Sequence, residues 1–129
     1  MSLRNLDILA VDDDRVTLEL LTLMLEEYTS GRVIAMDDSN LAVDVIADPE
    51  QRFDLVISDL MMPDKTGLDL LAVLRARDTA IPFILLTANT RRESVIKAKQ
   101  LGATAFIAKP FSTQNLLDKL DDIFSSGVE

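Results

Sequence analysis

The sequence contains no cysteine and no histidine. Without cysteine it can form no disulfide, thiol nucleophile or thiolate metal site, which fits a reducing compartment. Without histidine it can form no Ser-His triad and no histidine-ligated zinc site, and it carries no phosphohistidine of its own. The chemistry that remains is that of carboxylates, hydroxyls, amines and hard metal ions.

Basic residues are also scarce: 13 Lys and Arg stand against 22 Asp and Glu, and the formal net charge is −9. Such a chain is a poor candidate for direct nucleic-acid binding, which relies on Lys and Arg to neutralise phosphates. No run approaches the roughly 18 apolar residues of a membrane span, and the N-terminus lacks the apolar segment of a signal peptide. We therefore expect a soluble, cytoplasmic protein that binds neither membrane nor nucleic acid directly.

The length of 129 residues, 48% of them hydrophobic, suits one domain with a core of its own. We expect a single domain over residues 1–129, with a core from about residue 6 to residue 124. The C-terminal tail, residues 125–129, reads as a frayed end or as the start of a linker to an output domain. A longer parent protein therefore stays open.

Short apolar runs alternate with longer helical patterns along the chain. The runs predict strands at 6–11, 32–36, 53–58, 82–87 and 105–108. The helical patterns cover 15–28, about 39–47, a stretch with Leu68, Leu71 and Leu74, a segment from a Thr90–Glu93 capping box to about Gly102, and 112–124. The middle strands are apolar on both faces, which is typical of a parallel sheet covered by helices on both sides. We therefore predict an α/β fold with a doubly wound, five-stranded parallel sheet.

Chemically active residues follow the strands of this predicted sheet. Asp12 and Asp13 follow the first strand, Asp59 follows the third, Thr87 ends the fourth and Lys109 follows the fifth. Ligands of open α/β sheets bind outside the carboxyl ends of the strands, where these side chains would converge.

The three carboxylates would repel one another by about 4 kcal/mol per pair at 4 Å in a medium of effective dielectric 20. A hard divalent cation such as Mg²⁺ offsets this repulsion, and it commonly binds one or two carboxylates together with a phosphate. Asp59 would then be free to attack a phosphoryl group, while Lys109 and Thr87 would contact the phosphoryl oxygens.

Four segments carry a resemblance to a known family. They are Val11-Asp12-Asp13, Ser58-Asp59-Leu60-Met61-Met62-Pro63 with Gly67 after it, Leu86-Thr87-Ala88, and Ala108-Lys109-Pro110-Phe111. Together, in this order and spacing, they resemble the receiver domain of bacterial response regulators over residues 6–124. The resemblance implies a sheet of order 2-1-3-4-5 in a flavodoxin-like three-layer sandwich.

The resemblance also implies a phosphorelay function. Asp59 would accept a phosphoryl group from the phosphohistidine of a sensor histidine kinase or a histidine phosphotransfer protein. Mg²⁺ would be bound by Asp13, Asp59 and the backbone carbonyl of Met61, with Asp12 acting through a water molecule. The protein would then be a signalling module, not an enzyme that turns over a separate substrate.

Further roles follow from the same resemblance. Lys109 would bind the phosphoryl group, and the peptide bond between Lys109 and Pro110 would be cis. Thr87 and Phe106 would form the switch, although Phe106 could equally be core filler. Met61 and Asn89 would tune the rate of dephosphorylation. The face made by the fourth helix, fifth strand and fifth helix would contact an output domain or a second copy of the chain.

Two other functions stay open. An aspartate-based phosphatase of the dehalogenase type also has acidic residues after its first strand, but Asp59 and Lys109-Pro110 fit that family less well. A degenerate receiver would bind partners without phosphorylation, which the presence of all the expected site residues disfavours. Asp14, next to the acidic pair, is expected to be a helix N-cap.

Overall fold

Ten elements, strand and helix in strict alternation, make up the computed structural model, which describes residues 4–78, 80–88 and 92–125. The strands are β1 (Ile8–Val11), β2 (Val33–Met36), β3 (Leu55–Asp59), β4 (Phe83–Thr87) and β5 (Ala105–Ala108). The helices are α1 (Arg15–Tyr28), α2 (Ser39–Ala47), α3 (Gly67–Arg77), α4 (Arg92–Leu101) and α5 (Thr113–Ser125). Within the described residues no helix is both long and apolar enough to span a membrane.

The five strands form one parallel sheet in the order β2-β1-β3-β4-β5, which confirms the predicted fold. Leu9 of β1 lies in register with Ile34 of β2 on one side and with Val56 of β3 on the other. β1 is therefore an inner strand that pairs with β2 on one side and with β3 on the other. The carboxyl ends of β1 and β3 are therefore neighbours at the point where the strand order reverses, which is where such sheets bind ligands.

The core lies in two layers, one on each side of the sheet. Side chains of α1 and α5 pack on one face, with Leu21, Leu25 and Leu116 fully buried. Side chains of α2, α3 and α4 pack on the other, around Leu70 and Leu71. Every residue of β1, β3 and β4 is buried, so these strands are covered on both faces as their composition predicted.

Four of the strands begin one or two residues later than the apolar runs suggested, and β3 ends one residue later. β1 starts at Ile8 because Asp7, just before it, bonds its own N–H to a carboxylate oxygen of Asp54 at 2.8 Å instead of to a neighbouring strand. β3 includes Asp59, which lies in register with Leu86 of β4. Asp59 is therefore part of the sheet and is held by the sheet's geometry.

Helix ends follow the sequence signals. The Asp14 carboxylate accepts the N–H of Val16 and caps α1, as expected. Thr66 and Asp69 form a capping box at the start of α3. α4 is followed by Gly102, whose φ of 97° is the left-handed conformation that favours glycine after a helix. The predicted capping box at Thr90 lies outside the described residues.

Gly67 permits a close approach between α3 and the end of β3. A Cβ atom at this position would lie 2.5 Å from the carbonyl oxygen of Asp59 and 2.7 Å from a methyl group of Leu85. No real side chain tolerates such contacts. The absence of a side chain therefore lets the first turn of α3 pack directly behind Asp59.

Candidate active site

Three carboxylates meet at the carboxyl end of the sheet. Asp12 and Asp13 follow β1 and Asp59 ends β3, and one carboxylate oxygen from each lies within 4.8 Å of the other two. Asp12 is fully buried and Asp59 is 7% exposed, whereas Asp13 is exposed. The predicted convergence therefore occurs, with two carboxylates inside the protein and one at its surface.

Lys109 brings a positive charge to the two buried carboxylates. Its Nζ lies 2.8 Å from Oδ2 of Asp12 and 3.3 Å from Oδ2 of Asp59. Its backbone N–H donates to the carbonyl of Thr87 at 2.9 Å, which holds the start of the following loop against β4. The peptide bond between Lys109 and Pro110 is cis, as the resemblance implied. The ammonium of a residue after the edge strand thus reaches the centre of the sheet.

The pKa values of Asp59 and Lys109 are both raised, but for different reasons. Burial raises the pKa of Asp59, and the charge of Asp12 raises it further. The charge of Lys109 and, more weakly, the backbone N–H of Met61 favour the ionised form of Asp59 but only partly offset this. For Lys109, burial alone would lower the pKa, but the hydrogen bond and charge of Asp12, together with Asp59, outweigh burial and raise it.

The three consecutive aspartates have different surroundings. Asp12 accepts the backbone N–H of Asp14 at Oδ1 and the ammonium of Lys109 at Oδ2, so both its oxygens are engaged. Asp13 is exposed at the mouth of the site. Asp14 points away to cap α1, and the hydroxyl of Thr17 and the N–H of Val16 hold its pKa below the ordinary value. Only the first two therefore contribute to the acidic cluster.

The residues predicted to form the switch line one small recess. Thr87 is buried at the end of β4, and Phe106 is half-buried in β5, in register with Leu85. Both border a narrow space that is completed by Leu60, Leu85, Ser94 and Val95. Asn89, predicted to tune the phosphoryl lifetime together with Met61, lies outside the described residues. Met61 itself is 61% exposed beside the acidic cluster.

Two features of the site were missed by the sequence reasoning. One is an apolar strip on α1, where Val16, Leu20 and Leu23 are 66%, 53% and 60% exposed. Their spacing of four and three residues was the available signal, since it places them on one face of the helix. The other is Ser39, whose hydroxyl bonds the loop after β3. No pattern in the sequence distinguishes this serine from an ordinary residue at the start of a helix.

The donor set fits a hard divalent cation. Asp12, Asp13 and Asp59 offer only oxygen atoms, and their mutual distances suit a single small ion. A carboxylate cluster with one ammonium leaves net negative charge in a partly buried place, which a cation would neutralise. The cluster is therefore able to hold a metal ion.

Comparison with known proteins decides the family. The sequence matches the family described as the response regulator receiver domain over residues 8–121. The chain belongs to this family, which operates in two-component signalling. The receiver is 33% identical over 123 residues to the chemotaxis protein CheY-3 of Vibrio cholerae, covering 94% of this chain and 93% of that protein.

Other relatives carry the receiver in longer proteins. The DNA-binding response regulator MtrA of Mycolicibacterium smegmatis is 36% identical over 113 residues, which are 88% of this chain but 48% of MtrA. Among solved structures, CheY4 of Vibrio cholerae superposes with a TM-score of 0.83 at 29% identity, over 93% of this chain and 99% of that one. The activated DrrB receiver domain gives the same TM-score at 27% identity, over 94% and 98% of the two chains.

Because the pKa of Asp59 is raised in the folded protein, we expect the free energy of unfolding to depend on pH. Between the ordinary value of 3.8 and the raised folded value, the unfolded chain ionises first, so the folded receiver loses stability as the pH rises. We expect Asp59→Asn to raise the free energy of unfolding by about 1–2 kcal/mol at pH 7 in chelator. The gain should shrink as the pH falls towards 3.8. Urea unfolding with chelator, from pH 7 to pH 4, measures both effects.

Asp13→Asn is the matched control, because it removes an equal charge from an exposed position. Its effect in chelator should stay within about 0.5 kcal/mol. If Asp59→Asn proved less stable than wild type at pH 7, the attraction of Lys109 would outweigh burial and the repulsion of Asp12.

Proposed function

We propose that this receiver, as a single domain over residues 1–129, is a phosphorylation-controlled switch in a phosphorelay. Asp59 accepts a phosphoryl group from the phosphohistidine of a sensor histidine kinase or a histidine phosphotransfer protein. The observation that carries the proposal is the buried Asp59 carboxylate, grouped with two other carboxylates and 3.3 Å from the Lys109 ammonium. The domain is a signalling module whose only chemistry is its own phosphorylation and dephosphorylation.

The transfer needs an ionised carboxylate as nucleophile. An oxygen of Asp59 attacks phosphorus while the bond from phosphorus to the donor imidazole nitrogen breaks, and the imidazole leaves with the electron pair. Lys109 and Thr87 sit at neighbouring strand ends, where an ammonium and a hydroxyl would contact the phosphoryl oxygens as charge develops. The Met61 N–H, which favours the ionised form of Asp59, would help to keep the nucleophile charged.

Mg²⁺ is the cation that this mechanism requires. Asp13, Asp59 and the backbone carbonyl of Met61 would hold it, with Asp12 acting through a water molecule. The ion would supply positive charge for the carboxylates and for the phosphoryl oxygens. The support from the structure is the oxygen-only donor set and the fact that, among the described residues, Lys109 is the one cation paired with these acids.

The phosphatase alternative fits this site less well. In the dehalogenase pattern the first acid after strand one is the nucleophile, which would be Asp12. That carboxylate is fully buried, and its two oxygens are bonded to the Asp14 N–H and to Lys109. An attacking oxygen needs access to substrate, which Asp59 has to a greater degree.

Phosphorylation of Asp59 is directly testable. Incubation with acetyl phosphate and Mg²⁺ should add one phosphoryl group to the intact mass, and chelator should prevent the addition because the acidic site then lacks its cation. Asp59→Asn should stay unlabelled. Asp54→Asn, which removes an exposed aspartate near the amino end of β3, is the control and should be labelled like wild type. Equal labelling of Asp59→Asn would refute the assignment.

The protein donor would dock on the apolar strip of α1, defined by Val16, Leu20 and Leu23. The donor histidine must lie outside these 129 residues, since they contain none. The strip borders a recess of about 300 Å³ that extends as far as Lys109 and is lined by Thr17, Leu20, Met24, Ala88, Lys109, Pro110 and Phe111. A partner that covers Asp59 would therefore also bury this surface, and apolar contact area is the main source of binding free energy.

A charged substitution in the strip should slow phosphoryl transfer from a protein donor but not from a small-molecule donor. We expect Leu20→Asp to slow transfer from a phosphorylated histidine phosphotransfer protein at least about tenfold. Loss of a buried apolar contact at an interface commonly costs about 1.4 kcal/mol or more, which corresponds to a factor of ten. The rate with acetyl phosphate should not change, because that donor needs no docking surface.

Leu41→Asp provides the matched control, since Leu41 is 56% exposed on α2, on the opposite side of the sheet. It should leave both rates unchanged. An equal loss with both donors in Leu20→Asp would show damage to the site and would contradict docking on α1.

The conformational change would be passed to a partner through the surface formed by α4, β5 and α5. Phosphoryl oxygens would draw the Thr87 hydroxyl towards Asp59, and Phe106 would turn into the recess that the two residues share. The solvent-facing side of α4 offers Arg92, Lys97 and Lys99, and α5 offers Asp118 and Asp122. These charges on the two helices that flank β5 suit an output domain or a second copy of the chain. A cytoplasmic location, where donor and output partners meet, belongs to the same proposal.

Beryllofluoride, which mimics the phosphoryl group, tests this route. In wild type we expect amide chemical shifts of α4 and β5 to change when beryllofluoride and Mg²⁺ are added. Thr87→Ala should retain the changes around Asp59 but lose most of those in β5, because the hydroxyl that links the two is gone. Thr22→Ala removes a hydroxyl that bonds only within α1, so it should respond as wild type does. A full β5 response in Thr87→Ala would rule out this route.

A further inference from the structure

The loop between β3 and α3, residues 60–66, carries Met61 beside the acidic cluster. Its two ends are fixed by the sheet and by α3. The Leu60 N–H donates to the carbonyl of Leu86 at 2.8 Å, and the Gly67 N–H donates to the carbonyl of Leu60 at 2.9 Å. These bonds close the base of the loop but do not reach its tip at Pro63 to Lys65.

The tip is held from α2. The Ser39 hydroxyl donates to the carbonyl of Pro63 at 2.8 Å and accepts the N–H of Lys65 at 3.1 Å. Ser39 is 6% exposed, so water competes little for these bonds. The side-chain amide of Asn40 adds a bond to the Asp64 carboxylate at 3.1 Å. One buried hydroxyl therefore clamps both sides of the turn centred on Asp64.

The turn needs such a clamp. Asp64 has a φ of 68°, a left-handed conformation that non-glycine residues adopt rarely and that persists only where the surroundings hold it. A hydroxyl is the smallest side-chain group that both donates and accepts, and the two bonds of Ser39 use both capacities. Alanine at this position would leave the Pro63 carbonyl and the Lys65 N–H without this partner.

We propose that Ser39 is a positioning residue for the metal and phosphoryl chemistry at Asp59, acting through the loop that carries Met61. The inference rests on the proposed function for the use of the Met61 carbonyl as a metal ligand. Met61 lies two residues after Asp59 on the same stretch of backbone, so the position of this loop bears on the nucleophile as well as on the Met61 carbonyl. Residues that hydrogen-bond to metal ligands, or to the backbone that carries them, commonly govern metal affinity without contacting the metal.

The test is a Mg²⁺ titration of the full chain, followed by amide chemical shifts of residues 59–66 well below the melting temperature. We expect Ser39→Ala to raise the Mg²⁺ concentration at half-saturation by about tenfold, the lower end of what loss of such a supporting bond costs. Ser39→Thr keeps the hydroxyl and should restore the wild-type midpoint. Asn40→Ala, an exposed change that does not threaten folding, should shift the midpoint in the same direction by a smaller factor.

Thr29→Val is the matched control. Thr29, like Ser39, is a buried residue whose hydroxyl bonds to backbone groups, but it lies at the amino end of the sheet. Its hydroxyl accepts the N–H groups of Leu6 at 2.7 Å and Gly31 at 2.9 Å. It should lower the melting temperature and leave the Mg²⁺ midpoint unchanged.

The outcomes separate this inference from the proposed function. A midpoint in Ser39→Ala equal to that of wild type, or an equal shift in Thr29→Val, would overturn the positioning role alone. If wild type showed no Mg²⁺-dependent shifts, the metal site would fail, and the role of Ser39 would fail with it.

Discussion

The buried contact between Lys109 and Asp12 is the interaction on which the site depends. Asp12 has no exposed surface, and an uncompensated carboxylate in that position would be strongly destabilising. Lys109 provides the compensation at 2.8 Å and, in doing so, brings its ammonium within 3.3 Å of Asp59. The same contact links the loop after β5 to the loop after β1, across two intervening strands. This one contact therefore compensates the charge of Asp12 and also fixes the two loops relative to each other.

The negative charge of Asp59 is only partly compensated by Lys109. Its carboxylate shares one ammonium with a neighbour that holds that ammonium more closely, and burial raises its pKa further. A carboxylate stabilised by a full ion pair would be a weaker nucleophile and a weaker metal ligand. Because Asp12 takes the shorter contact with Lys109, the negative charge of Asp59 is the less compensated of the two. This is the state that the proposed function requires of Asp59.

The sequence predicted most of the fold because its signals are local and mutually consistent. Apolar runs gave β1, β3 and β4, and caps such as Asp14 and Thr66 marked helix starts. The acidic cluster was also predictable, since parallel strands bring their carboxyl ends to one edge. The strand limits and the contact of Ser39 with the loop after β3 were not predictable. They depend on hydrogen bonds between residues more than twenty positions apart, such as Asp7 with Asp54 and Ser39 with Pro63. The exposure of Val16 likewise depends on which face of α1 meets the sheet.

The run Asp12-Asp13-Asp14 has a consequence for how mutations in this gene would act. Loss of one aspartate codon would leave two adjacent acids, and the sequence would still look intact at this point. However, Leu21 and Leu25 are fully buried against the sheet and fix the orientation of α1. Moving the helix by one residue would turn it by about 100° and remove both leucines from the core. The helix would therefore keep its place, and the shortened link from β1 would lack one of its three acids. The remaining two could not both fill the acidic cluster and supply the cap that Asp14 gives α1. The number of aspartates in this run therefore matters as much as their identity.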